Sequence, residues 1–325
     1  MHTAATREEW PRTAAVLGAG TMGLGVAECF AAAGVRVRLA DATPELTGEA
    51  KERLTLRALA HAEAGLLPEE AAGRMESVVP ADAAEAVSGV DLVFEAVPED
   101  VLLKEEVLGT CSAGAPGGAV IVSNTSSLPI DELARFVEGP GRFCGMHWFN
   151  PPEWTPGVEV IPSRDTDPST VERVVGFLRS IGKRPAVVGS GPGFVANRIQ
   201  NALFLEAVRC VEEGLASPEE VDEVVRSCFG FRLPFFGPFQ IADMAGLDVY
   251  KDVLGVLRDG LGPRFEAPRM LNDLVEQGRT GTKSGAGFLD YPEEERDLLL
   301  LERDRRYAAL LDLLERLPPM GRGEQ

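Results

Sequence analysis

His147 and Glu159 flank a proline-rich turn in the segment Gly145-Met-His-Trp-Phe-Asn-Pro-Pro-Glu-Trp-Thr-Pro-Gly-Val-Glu-Val160. His147 is one of only three histidines in 325 residues. An imidazole titrates near neutral pH, so it can take or give a proton at little cost. A carboxylate on a returning strand would fix its tautomer and stabilise its imidazolium. That pairing builds a general base and its orienting partner. The plainer alternative is a structural histidine beside a turn, with Glu159 on a solvent edge.

A base of this kind needs a reaction partner, and the start of the chain offers one. Thr13–Leu17 is a short apolar run that predicts a buried strand. Gly18-Ala-Gly20-Thr-Met-Gly23 follows at once, and Leu24–Ala33 predicts an alanine-rich helix ending at Gly34. The run 35–40 alternates as a second strand and ends at Asp41. Strand, GxGxxG, helix, strand and acid is the order of a dinucleotide-binding unit. Gly18 allows the tight turn, Gly20 admits a pyrophosphate, and Gly23 lets helix and strand pack closely. Thr21 and Met22 open the helix, whose free N–H groups and positive dipole end suit phosphates. Asp41 would bond the adenosine ribose hydroxyls and repel a 2′-phosphate. With no arginine close behind it, NAD is favoured over NADP, although Arg36 and Arg38 stand just before it.

Residues 44–88 read as two or three amphipathic helices, and further strands are expected at 91–97, 119–123, 142–147, 158–162 and 184–188. A helix is expected over 168–181. The second of these strand regions ends in Asn124-Thr-Ser-Ser127, where an α/β sheet places ligand-binding groups. For Ser126 and Ser127 the alternative is helix capping ahead of Pro129. From Gly191-Pro-Gly193 the strand signals stop, and a long helix is read from Phe194. The expected division is an α/β domain over 1–190 and an all-α domain over 191–325.

The acidic excess, 51 carboxylates against 32 lysines and arginines, gives a net charge of −19. That disfavours nucleic acid and membrane surfaces as partners. Hydrophobic content of 45% fits a globular α/β protein. Five scattered cysteines without a CxxC pair read as free buried thiols of a reducing compartment, neither catalytic nor metal-binding. The first residues lack a signal peptide's apolar core, so a cytoplasmic location is expected.

Taken together, the chain resembles the short-chain L-3-hydroxyacyl-CoA dehydrogenase family over roughly residues 13–290. The resemblance rests on Gly18–Gly23, Phe94-Glu-Ala-Val-Pro-Glu-Asp100, Ser123–Ser127, Gly145–Pro151, Gly193-Phe-Val-Ala-Asn-Arg198, Phe236-Gly-Pro-Phe, Ala245-Gly-Leu-Asp-Val and Lys283-Ser-Gly-Ala-Gly-Phe288. It implies a Rossmann-type, mostly parallel sheet with helices on both faces, followed by an all-α domain for substrate and dimerisation. It implies NAD as cofactor, a small hydroxyacyl substrate and a homodimer. His147 would be the base and Glu159 its partner. Ser126 would bond the substrate oxygen, and Asn197 would close the site. Glu99, Lys104 and Asn124 would lie near the cofactor. For Glu99 and Lys104 the alternative is an ordinary pair on a helix surface.

Two departures bear on the substrate. Members acting on CoA thioesters carry basic residues on the helices after the second strand, whereas residues 58–73 here contain no lysine or arginine, only His61. Lys51, Arg53 and Arg57 precede that stretch. Pro152-Glu-Trp-Thr-Pro-Gly157 replaces the more apolar stretch typical of the acyl-CoA enzymes, while Asn150-Pro-Pro152 and the extra tail from Pro292 to Leu317 resemble the branch oxidising small hydroxy acids, such as L-gulonate or carnitine dehydrogenases. In the tail, Tyr307, Leu310, Leu311, Leu314 and Leu317 fall on one face, expected to pack on the chain's own helical domain or on a partner's. A 3-hydroxyacyl-CoA, a free small hydroxy acid and a carrier-protein thioester all stay open, and so does a crystallin-like binding protein.

Overall fold

The computed structural model describes residues 10–317. By contact density the chain forms two compact units, Met1–Leu203 and Phe204–Gln325.

The first unit is built on one eight-stranded sheet in the order β3-β2-β1-β4-β5-β6-β7-β8. Its strands are β1 (Thr13–Leu17), β2 (Arg36–Ala40), β3 (Val79–Pro80), β4 (Leu92–Glu95), β5 (Val120–Ser123), β6 (Phe143–Trp148), β7 (Gly157–Pro162) and β8 (Arg184–Val187). Strands β1 to β6 run parallel, β7 pairs antiparallel to β6, and β8 runs with β7. β1, β4 and β5 are near-continuous apolar runs, because a parallel sheet is covered on both faces. Helices α1 (Thr21–Ala32), α2 (Pro44–Glu63), α3 (Glu69–Gly73), α4 (Ala83–Val87), α5 (Val101–Gly114), α6 (Ile130–Leu133) and α7 (Pro168–Ser180) connect the strands. One core gathers Val16, Phe30, Leu54, Phe94, Trp148 and Phe177, and the other Ala15, Val93, Leu108, Ile121 and Phe143. Alternate residues of β1 and β4 therefore face opposite cores, as a period of two requires.

Helix α8 (Ala196–Glu212) holds the boundary between the units. Beyond it come α9 (Pro218–Val224), α10 (Pro238–Ala245), α11 (Leu247–Leu261), α12 (Arg269–Glu276) and α13 (Glu293–Arg316). In this second unit Asp243 is fully buried. Its carboxylate accepts from the amides of Phe288 and Leu289 and from the Tyr291 hydroxyl, each at 3.0 Å.

One expectation is corrected. The segment 44–88 holds, besides helices, the edge strand β3 paired with β2. A two-residue strand containing a proline carries no periodicity to read. In the tail only Tyr307 and Leu310 of the five named residues are half-buried, whereas Leu311, Leu314 and Leu317 are exposed. Tyr307 meets Phe231, Phe235 and Phe236. That aromatic cluster engages the middle of α13, and the turns after it bury little.

Candidate active site

The β6–β7 hairpin determines the central geometry. Its antiparallel register sets His147 directly opposite Glu159. Directly opposed residues on one face have side chains in contact. The His147 Nδ1 lies 2.9 Å from Glu159 Oε2, and both side chains are buried. A carboxylate facing Nδ1 accepts from it, and in a neutral imidazole so oriented Nε2 is the nitrogen with the free lone pair. The other carboxylate oxygen accepts from the backbone amides of Val195 at 3.1 Å and Ala196 at 2.9 Å, where α8 begins. Glu159 is therefore saturated on both oxygens, which excludes the solvent-edge alternative. The imidazole is boxed in by Phe149 and Phe194, at ring separations of 4.5 and 5.6 Å. Phe194 is buried with φ of +49°, the one non-glycine with positive φ among the described residues. Such strain persists only where surrounding structure enforces it. Here it turns the chain so that two successive amides face Glu159.

Asn197 and Ser126 meet a short distance away, where the Asn197 Nδ2 donates to the Ser126 backbone oxygen at 3.1 Å. The Ser126 side chain is exposed. Neither serine caps a helix, since Pro129 is the N-cap of α6 and no side chain caps it. The loop is held instead by Glu99. One of its oxygens accepts from the Thr125 hydroxyl at 2.6 Å, the Ser126 and Ser127 amides at 2.9 Å, and the Ser127 hydroxyl at 3.0 Å. Burial pushes the Glu99 carboxyl up, but these donors and the nearby Lys104 outweigh it and hold it below the usual glutamate range. Asn124 sits beside this loop and accepts from the Trp148 amide at 2.9 Å, joining β5 to the residue after His147.

Lys104 is 1% exposed, so the helix-surface alternative fails. Its ammonium is 2.6 Å from Glu95 and 3.5 Å from Glu99. Glu95, fully buried at the end of β4, also accepts from the Ser123 hydroxyl and the Val97 amide. A buried charge survives only when paired and hydrogen-bonded, and this one is. Glu95 and Thr125 were missed from sequence. The signal for Glu95 was a lone acid inside an apolar strand.

At the glycine-rich turn, Gly18 has φ of +92°, and a Cβ there would sit 2.5 Å from the Ala96 oxygen. A Cβ on Gly23 would fall 1.8 Å from the Gly18 oxygen, whereas one on Gly20 would meet nothing within 4 Å. The turn is thus closed below and open above Gly20. Helix α1, opening with Thr21 and Met22, has no side-chain cap. Asp41 accepts from the Ala19 and Ala42 amides, both at 2.7 Å. Arg38 donates to the carbonyls of Glu85 and Ser88, and Arg36 stands at the far end of β2, about 16 Å along the strand from Asp41. Burial pushes the thiols of Cys29, Cys111 and Cys144 up to about 12. Cys228, expected buried, is exposed because it lies on the outer surface of the second unit.

The comparisons with known proteins agree with this layout. The 3-hydroxyacyl-CoA dehydrogenase NAD binding domain matches residues 13–191, and the C-terminal domain of the same family matches 193–291. The chain is 37% identical over 306 residues to 5-formyl-3-hydroxy-2-methylpyridine 4-carboxylate 5-dehydrogenase of Mesorhizobium japonicum, covering 94% of this chain and 98% of that protein. It is 37% identical over 281 residues to a probable 3-hydroxybutyryl-CoA dehydrogenase of Bacillus subtilis, covering 86% and 97%. A solved 3-hydroxyacyl-CoA dehydrogenase from Archaeoglobus fulgidus superposes with a TM-score of 0.78 at 33% identity, over 94% of this chain and 99% of that one. The chain belongs to the 3-hydroxyacyl-CoA dehydrogenase family, whose members are NAD-dependent oxidoreductases acting on CH–OH groups. NAD fits the turn on its own geometry: space above Gly20, an uncapped helix start and an acid at the end of β2.

Proposed function

We propose that the chain interconverts a 3-hydroxyacyl thioester and its 3-keto form, with His147 as the proton-transfer group and Glu159 as its orienting partner. The observation that carries this reading is the buried His147–Glu159 pair, with Nδ1 2.9 Å from the carboxylate, an orientation that would leave Nε2 as the base. In oxidation Nε2 would take the hydroxyl proton, and in reduction the imidazolium would return it. NAD, when bound, supplies the hydride chemistry. The Ser126 hydroxyl and the second Asn197 N–H would stand as donors where alkoxide character develops on the substrate oxygen. Gly18, Gly20, Thr21, Met22, Gly23 and Asp41 would hold the dinucleotide, and Glu99, Lys104 and Asn124 would shape its nicotinamide side.

The test is Glu159→Gln. An amide has one acceptor oxygen, so it cannot serve both His147 and the Val195–Ala196 amides. We expect kcat for 3-hydroxybutyryl-CoA to fall by about 10²- to 10⁴-fold while NADH binding persists. A near-normal kcat would overturn the pair's role.

A second reading, a free small hydroxy acid, is favoured by how the cations on 44–77 are spent. Lys51 donates to the Met75 carbonyl. Arg57 pairs with Glu28 and Glu153 at 2.8 Å, and His61 lies 3.0 Å from Glu28. Arg74 bonds the Ala32 carbonyl and Glu70. Few cations are left there for a nucleotide handle. The Mesorhizobium relative is itself named for a pyridine carboxylate. Turnover of L-gulonate, carnitine or a hydroxymethyl-pyridine carboxylate, with none of acyl-CoA, would replace the first reading by the second. Residues 191–325 would supply the dimer contacts and, with Asn197, the remaining substrate contacts.

A further inference from the structure

We propose that Arg53 is the cation of the adenosine half of the dinucleotide site, and that Asp41 alone keeps it from accepting a 2′-phosphate. This inference goes beyond the proton-transfer reading and rests only on NAD binding.

Arg53 lies on α2, twelve residues beyond Asp41, yet its guanidinium returns to the glycine-rich turn. Its Nη2 donates to the Ala19 carbonyl at 3.3 Å. The amide of that same residue donates to Asp41 Oδ2 at 2.7 Å. One residue of the turn is thus held at its N–H by an anion and at its C=O by a cation. Backbone dimensions then place the two charged groups within about 10 Å of each other. Both charged groups thus border the same residue of the turn.

The neighbouring cations are committed elsewhere. Arg57, one helical turn further along the same face of α2, is paired with Glu28 and Glu153. Lys51 and Arg38 are spent on backbone carbonyls, and Arg36 lies at the other end of β2. Arg53 is exposed, has no carboxylate partner among the described residues, and spends one N–H on Ala19. Its remaining donors are available beside the open space above Gly20. A guanidinium in that position suits a phosphate oxygen better than any other group nearby. The end of β2 is also where an arginine, when present, takes the 2′-phosphate of NADP. Preference for NAD therefore depends on the Asp41 carboxylate repelling that phosphate, with an arginine already in place.

The test titrates NADH and NADPH by fluorescence into the full-length wild type, Arg53→Ala, Arg53→Lys, Asp41→Ser and Asp41→Ser/Arg53→Ala. Thermal melts of each variant without dinucleotide accompany the titrations. Arg53→Ala should weaken NADH about tenfold, the loss of one charge-assisted hydrogen bond, with an unchanged melt. Arg53→Lys should recover part of that loss. Asp41→Ser should raise affinity for NADPH relative to NADH by about tenfold or more, and adding Arg53→Ala should abolish that gain. Unchanged NADH affinity in Arg53→Ala would overturn the proposal. So would equal NADPH-to-NADH preference in Asp41→Ser and the double variant, since a residue that only shapes the turn would weaken both dinucleotides alike.

Discussion

Glu99 illustrates how one carboxylate can carry a loop. Four donors from Thr125, Ser126 and Ser127 converge on a single oxygen, with the Lys104 ammonium near the other. These contacts hold its folded pKa below the unfolded value of about 4.3. The sign follows from linkage. Stabilisation by Glu99 is complete above the unfolded value, declines as pH falls through it, and is lost below the folded value. Glu99→Gln should therefore lower the melting temperature at pH 7, and the gap from wild type should shrink below about pH 4. A gap independent of pH would remove the ionised carboxylate from this account. The residue types at this site were readable in sequence, because Ser, Thr and Asn clustered at a strand end mark a ligand-facing loop. Glu95 and Arg53 were not, since their partners are brought to them by the sheet and by α2.

At the scale of elements, the β6–β7 hairpin carries most of the site. Its loop lies against α1 at Gly25, where a Cβ would fall 2.2 Å from Pro152 and 2.7 Å from Glu153. Lys183, buried with no carboxylate partner among the described residues, donates to the carbonyls of Pro152 at 2.5 Å and Thr155 at 3.0 Å. Arg57 reaches Glu153 from α2. The loop 152–156 is thus fastened from three sides. Gly25→Ala should destabilise the protein by about 1–3 kcal/mol through overpacking, and the displaced hairpin should lower kcat as well. Chemical denaturation and steady-state kinetics check this. An unchanged midpoint with full activity would mean the loop yields freely. The strands and long helices that form this frame were legible because buried parallel strands read as apolar runs and amphipathic helices repeat every 3.6 residues. The edge strand β3 and the loop's attachment to α1 had no such period.

For the whole molecule, the second unit leaves apolar helix positions uncovered in a single chain. On α11, Val249, Val253 and Val256 are 48%, 52% and 74% exposed at helical spacing. On the part of α8 that belongs to this unit, Phe204, Leu205 and Val208 are also exposed. Apolar side chains exposed at helical spacing, as on α11, are what an association site offers. We expect a homodimer by sedimentation velocity, converted to monomer by Val253→Asp with an unchanged circular-dichroism spectrum. A monomeric wild type at micromolar concentration would refute the expectation. Among the described residues no helix is long and apolar enough to cross a membrane.

By itself, the sequence determined the strand–turn–helix unit at Gly18–Gly23, the α/β order followed by helices, and the chemical identity of His147, Glu159, Ser126 and Asn197. These are local properties: periodicity, glycine spacing and side-chain type act over a few residues. Only the tertiary structure decided that His147 and Glu159 are opposed in register, that two amides saturate Glu159, and that Lys104 is buried against Glu95. It likewise decided that Arg57 is consumed by two carboxylates while Arg53 returns to the dinucleotide turn. Such pairings span tens of residues, and their partners are chosen by strand register and helix packing, which leave no short-range pattern in the chain.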